Sequence, residues 1–144
     1  MTKNAVIDII KLLKNFRGAV LYTMNTTQNN LLTALREIGV DVDGTISRFM
    51  NNSEIYIKFL ARFPDEDRIT PINEAVAAKD YEKLLAAAHK LKGVSANLGM
   101  TELSGKAAEI VTKLRNEIYE GFEADAAEVE RLSEQICSII KSNI

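Results

Sequence analysis

The segment that decides the fold is His89-Lys90-Leu91-Lys92-Gly93-Val94-Ser95-Ala96-Asn97-Leu98-Gly99, which contains the single histidine of a 144-residue chain. The residues before it carry the same helical periodicity back to Asp80, so the whole reads as one amphipathic helix. Asp80 belongs to the residue types that cap helix N-termini, and Gly99 to the type that lies just past helix ends. At about 100° per residue, Leu84, Ala88, Leu91, Ser95 and Leu98 share one face, with Tyr81 at its edge. That face is expected to be buried. His89 stands roughly 140° away from it, toward solvent. Around it on the outer side lie Ala86, Gly93 and Ala96, with Lys92 one turn further on.

An exposed helix face is ordinarily filled with long polar side chains, and a glycine inside a helix costs about 1 kcal/mol relative to alanine. A histidine surrounded by alanine and glycine is therefore a poor choice for stability alone. It is a good choice for a side chain that another protein must reach. Imidazole is largely neutral at pH 7 and so is a competent nucleophile without a dedicated base. Lys92 offers a cation to an anion carried on the ring. The chemistry suggested is acceptance of a phosphoryl group on His89, with Lys92 stabilising its charge and Ala86, Gly93 and Ala96 admitting a docking partner.

At these residues the chain resembles the histidine-containing phosphotransfer (HPt) domains of bacterial two-component phosphorelays. Their signature is His, any residue, an aliphatic residue, Lys, Gly, two usually small residues, and a second Gly six positions after the first. His89, Leu91, Lys92, Gly93, Ser95 and Gly99 match it, while Val94 is slightly larger than the commonest choice. The resemblance runs from about Leu35 to the C-terminus. It implies a phosphoryl carrier with no ATP site of its own, exchanging phosphate with response-regulator receiver domains or a sensor histidine kinase. The Mg²⁺ and other barrier-lowering groups would belong to the partner, and the carrier itself would need no cofactor. A chemotaxis-kinase phosphotransfer domain is a variant of the same pattern. The alternative from another class is a helical-bundle adaptor that acts only by protein binding.

Composition agrees with a compact helical protein: 47% of residues are hydrophobic, with seven glycines and two prolines. A net charge of −2 provides no general attraction for nucleic acid, and no basic tract provides a local one. No apolar run approaches the 18 or so residues of a membrane span, and Asp8, Lys11 and Lys14 interrupt the stretch where a signal peptide would lie. The expected location is cytoplasmic. Cys137 is the only cysteine and reads as a buried structural thiol.

Residues from about Asn4 to Met24 place Val6, Ile9, Ile10, Leu13, Phe16 and Val20 on one stripe of a basic amphipathic helix. The stripe is expected to pack on protein, either this chain's own bundle or a second copy, rather than on lipid. Asn25–Asn30 reads as a polar break, followed by a short helix over about Leu31–Ile38 closed by Gly39. The expected domains are thus an N-terminal helical extension, 1–34, which is also a candidate homodimer face, and an HPt-like domain, 35–144. Within the latter, Asp43 is the expected cap of a short helix over Thr45–Met50. Ser53 is the expected cap of a helix lined by Ile55, Tyr56, Phe59, Leu60 and Phe63 and ended by Pro64. Thr70 is the expected cap of a helix reaching about Lys79. Thr101 is the expected cap of a long helix with Leu103, Ala107, Ile110, Val111, Leu114 and Ile118 on one side, ended by Gly121. The last helix, about Ala124–Lys141, carries Val129, Leu132, Ile136, Ile139 and Ile140. Short connections imply antiparallel neighbours. The fold expected is all-α: an antiparallel up-and-down four-helix bundle with additional N-terminal helices. The segments after Ser53, Asp80, Thr101 and Gly121 are its main members.

Other chemistries that use helical bundles or lone histidines find no support. A di-metal carboxylate site needs Glu-x-x-His on two helices, and the residue three before His89 is Ala86. Zinc lacks its ligand set with one His and one Cys, so no metal site is expected. A hydrolytic triad needs an acid that orients the histidine, and Glu82 is two turns away. No glycine-rich phosphate loop is present.

Overall fold

The computed structural model describes the backbone of residues 16–144, with side chains from residue 26 onward. Among the described residues every regular element is helical: α1 (Phe16–Glu37), α2 (Val42–Arg48), α3 (Ser53–Arg62), a 3₁₀ turn (Phe63–Asp65), α4 (Thr70–Ala78), α5 (Tyr81–Asn97), α6 (Thr101–Arg115) and α7 (Phe122–Ser142). Four of these close a ring. Helix α5 packs on α4 at one side and on α6 at the other, and α7 joins α6 to α4. The side expected from the Ser53 segment alone is built from consecutive pieces. Helix α3 and the 3₁₀ turn lie along α7, and α4 makes the direct contacts that complete the ring. Helix α1 packs on the outside of α7 and α2.

The core follows the helical stripes. Tyr56, Leu60, Ile72, Leu84, Leu91, Leu103, Ile110 and Ile140 are fully buried. Leu31 and Leu35 of α1 join the same cluster, so part of the N-terminal segment is built into the bundle. Two polar groups that enter the core find partners, whereas the buried Arg68 Nε has none among the described residues. Lys113 Nζ pairs with the buried carboxylate of Asp125 at 2.6 Å, and the Tyr56 hydroxyl donates to the Leu98 carbonyl at 2.8 Å. Cys137 is only half-buried, and that partial burial pushes its thiol pKa upward, more than the hydrogen bond from Ser133 and the charge of Lys141 lower it.

Several local expectations are corrected. Asn25–Asn30 does not break the chain, because α1 runs unbroken from Phe16 to Glu37 and crosses residue 34 without interruption. Asn and Thr cost only a few tenths of a kcal/mol in a helix interior, and burial of Leu31, Leu32 and Leu35 on the following turns outweighs that. The helix then ends as expected at Gly39, whose φ is +90°, with the Val40 N–H donating to the Leu35 carbonyl at 3.0 Å. The Val6–Leu13 stripe lies outside the described residues.

The caps shift by a few positions. Asp41, not Asp43, caps α2 by accepting the Gly44 N–H at 3.1 Å, and Asp43 pairs instead with Arg36 at 2.8 Å. Asn52, not Ser53, caps α3 through the Ile55 N–H at 3.2 Å. Asp67, not Thr70, accepts the free N–H groups of Ile69 and Thr70, each at 3.0 Å. Met100 rather than Thr101 precedes α6, and no side chain caps it. Helix α6 also ends early, at Arg115, so Ile118 lies in the connection to α7 and is exposed rather than buried. Ile55 and Phe59, expected in the α3 stripe, are likewise exposed.

Candidate functional site

Helix α5 is fixed at both ends. At its start the Asp80 carboxylate accepts the Lys83 N–H at 3.1 Å. At its end Gly99 turns with φ +76°, and its carbonyl accepts the Asp41 N–H at 2.8 Å. A Cβ on Gly99 would collide with Thr45 Oγ1 and the Asp41 carbonyl. Glycine is required there both for the left-handed backbone and for the close approach of α2. Between these ends Leu84, Ala88, Leu91 and Ser95 are buried. The Ser95 hydroxyl donates to the Leu91 carbonyl at 2.6 Å, and Ser104 of α6 donates to the Lys92 carbonyl at 3.1 Å. The rotation of the helix is thereby set.

With the rotation set, His89 is exposed, and so are Ala86, Gly93 and Ala96. All four lie on one outward strip. A side chain begun at Gly93 would meet no atom within 4 Å, so the space beside the imidazole is open. Lys92, expected to be exposed, is half-buried on the side of α5 that faces α6. Among the described residues neither the His89 ring nor the Lys92 ammonium is engaged in a hydrogen bond or ion pair, which leaves both available to an incoming group.

The opposite flank of α5 holds features that sequence reasoning missed. Lys90 Nζ pairs with Glu66 Oε1 at 2.7 Å, and Glu66 also receives Arg68 at 3.0 Å. The Lys90 hydrogen bond, helped by the charge of Arg68, holds the Glu66 carboxyl below the usual carboxylate range. Behind this pair a groove of about 470 Å³ runs between α4 and α5, bordered by Ala78, Lys83 and Ala86. The α4–α5 register that creates it has no counterpart in a linear motif. Among the described residues no group of three or more His, Cys, Asp or Glu side chains could hold a metal ion. No helix there is long and apolar enough to cross a membrane.

The helical ring thus presents a lone, unencumbered histidine from a helix fixed at both ends. The family model described as Hpt domain matches residues 57–139, and the chain belongs to that family, the histidine phosphotransfer domains of phosphorelays. Neither a curated protein nor a solved structure matches the chain.

Proposed function

We infer that this protein is a phosphoryl carrier that accepts on His89 the phosphoryl group of a receiver domain's aspartyl phosphate, or of a kinase domain, and passes it on. The single observation that supports this most strongly is the open space at Gly93 beside an exposed His89. A ring nitrogen of His89 attacks phosphorus in line with the aspartyl oxygen. The N–P bond forms as the P–O bond breaks, and the aspartate leaves as carboxylate. The proton on the other ring nitrogen is then free to depart to solvent. Transfer onward is the reverse on a second receiver. Lys92 stabilises the phosphoryl oxygens through a charge-assisted contact, and Ala86, Gly93 and Ala96 form the approach surface. Residues 35–144 carry the reacting groups, Leu31 and Leu32 help to complete their core, and the segment ahead of those leucines serves self-association or partner docking. The reading implies a cytoplasmic carrier without an ATP site.

The test is transfer of label from phosphorylated receiver domains. An acid-labile, alkali-stable modification should appear on the wild-type protein and be absent from His89→Gln. Equal labelling of His89→Gln, or no labelling of the wild type by any of several receivers, would replace the carrier with a binding-only adaptor.

A further inference from the structure

A second groove adjoins the histidine strip and has no part in the chemistry at His89. It has a volume of about 600 Å³ and is bordered by Val94 and Asn97 of α5 and, across from them, by residues of α2 and α3. Measured around the helix from His89, Gly93 stands at about 40°, Asn97 at about 80° and Val94 at about 140°. The groove therefore begins where the bulk-free strip ends. A protein seated over Gly93 and Ala96 overhangs it.

The lining is unusual for this chain. Three arginines, Arg48, Arg62 and Arg68, border the groove and no carboxylate does, although the net charge of the protein is −2. Arg68 is already neutralised by Glu66 at 3.0 Å and lies 4.8 Å over the Phe63 ring. Arg48 donates to Thr45 Oγ1 at 3.1 Å and to the Ala96 carbonyl at 3.4 Å, which ties it to the histidine helix without cancelling its charge. Among the described residues neither Arg48 nor Arg62 has an acidic partner. Phe59 lines the same groove, 45% exposed, its ring 5.6 Å from that of Phe49.

We propose that this groove anchors the phosphoryl-exchanging receiver, taking an apolar side chain of the partner against Phe59 and Val94 while partner carboxylates pair with Arg48 and Arg62. The inference rests on the relay reading of His89 and adds the surface that holds the partner during transfer. An aromatic wall supplies a desolvated anchor, and arginine forks match carboxylates in geometry as well as charge. Uncancelled positive charge beside the reacting strip also draws an acidic partner into register.

The test measures initial transfer rates against the concentration of a purified phosphorylated receiver that labels the wild-type protein, alongside labelling by phosphoramidate. Phe59→Ala and Arg62→Glu alter exposed side chains. Each should raise the half-saturating receiver concentration about tenfold while leaving the limiting rate and phosphoramidate labelling unchanged. Phe59→Leu should recover most of the loss. Unchanged half-saturation overturns the proposal. An equal loss toward phosphoramidate also overturns it, because the residues would then act through the fold. If no receiver of a panel labels the wild type, binding of that panel, followed by fluorescence anisotropy, separates the two readings. Binding that Arg62→Glu weakens, without any transfer to the wild type, supports the groove and ends the relay reading. Transfer that both variants leave untouched ends the groove proposal and leaves the relay reading standing.

Discussion

Gly93 faces open space, so a methyl group added there meets nothing while the helix loses a glycine. Gly93→Ala should raise stability by up to about 1 kcal/mol, read as a higher midpoint in urea. Gly93→Gln should also fold, glutamine being a good helix former, yet its side chain would stand one turn from His89. Labelling from a receiver should fall strongly while labelling by phosphoramidate changes little. A Gly93→Gln protein that unfolds, or that takes phosphate from its receiver at the wild-type rate, would contradict the docking role of this strip. Lys92 raises a different expectation. Its half-buried stem contributes some packing, but its ammonium is unengaged. Losing one charge-assisted hydrogen bond of about 1.5–3 kcal/mol should slow transfer roughly 10- to 100-fold in Lys92→Ala, if all of it acts in the transition state. Single-turnover transfer at saturating receiver checks this, and an unchanged rate would make Lys92 an ordinary surface lysine. At this scale the sequence was legible because helical phase is arithmetic. The positions of His89, Ala86, Gly93 and Ala96 follow from a 3.6-residue period once the buried stripe is known. The depth of Lys92 depends on α6, which that period does not describe.

Helix starts show where local signals compete. Asp80 stands alone before α5 and caps it, as its residue type suggests, whereas Asn51-Asn52-Ser53 offers three cap-forming residues in a row. Which of them is used depends on the backbone entering the helix. Met50 and Asn51 take left-handed φ values of 58° and 60°, which leaves Asn52 in an extended conformation with its side chain over the first turn. The same competition moved the cap of α2 from Asp43 to Asp41, while α4 follows Ile69 with no side-chain cap and the Asp67 carboxylate accepts the N–H groups of Ile69 and Thr70 instead. Asn52→Ala and Asp80→Ala should each cost about 1 kcal/mol, whereas Ser53→Ala should be close to neutral. Denaturant melts of the three variants decide this, and a Ser53→Ala loss as large as that of Asn52→Ala would reject the assignment. Helix α1 teaches the converse. Its polar stretch looks like a loop because local composition carries no information about Leu31, Leu32 and Leu35 being held by the bundle.

Over the whole molecule, elements and order were legible and adjacency was less so. A closed ring requires α4 to touch both α5 and α7, and the grooves flanking His89 exist only because of that closure and the placement of α2 and α3. Arg48, Phe59 and Arg62 are far apart in sequence from Val94 and Asn97, so no spacing rule could join them. The same long-range packing changes what the N-terminal segment means. Leu31 is fully buried and Leu32 is 6% exposed, and truncating a buried leucine to alanine typically costs about 2–5 kcal/mol. A domain of this size has roughly 5–15 kcal/mol in hand. Deleting residues 1–34 should therefore bring the bundle close to unfolding, by removing two core leucines and most of α1. Deleting residues 1–15 leaves both leucines in place. The shorter deletion is the one that reads self-association, because any dimer it abolishes in sedimentation is lost with Leu31 and Leu32 still present in the core. If the 1–34 deletion melts at the wild-type temperature, the burial of Leu31 and Leu32 contributes little and the extension is separable after all.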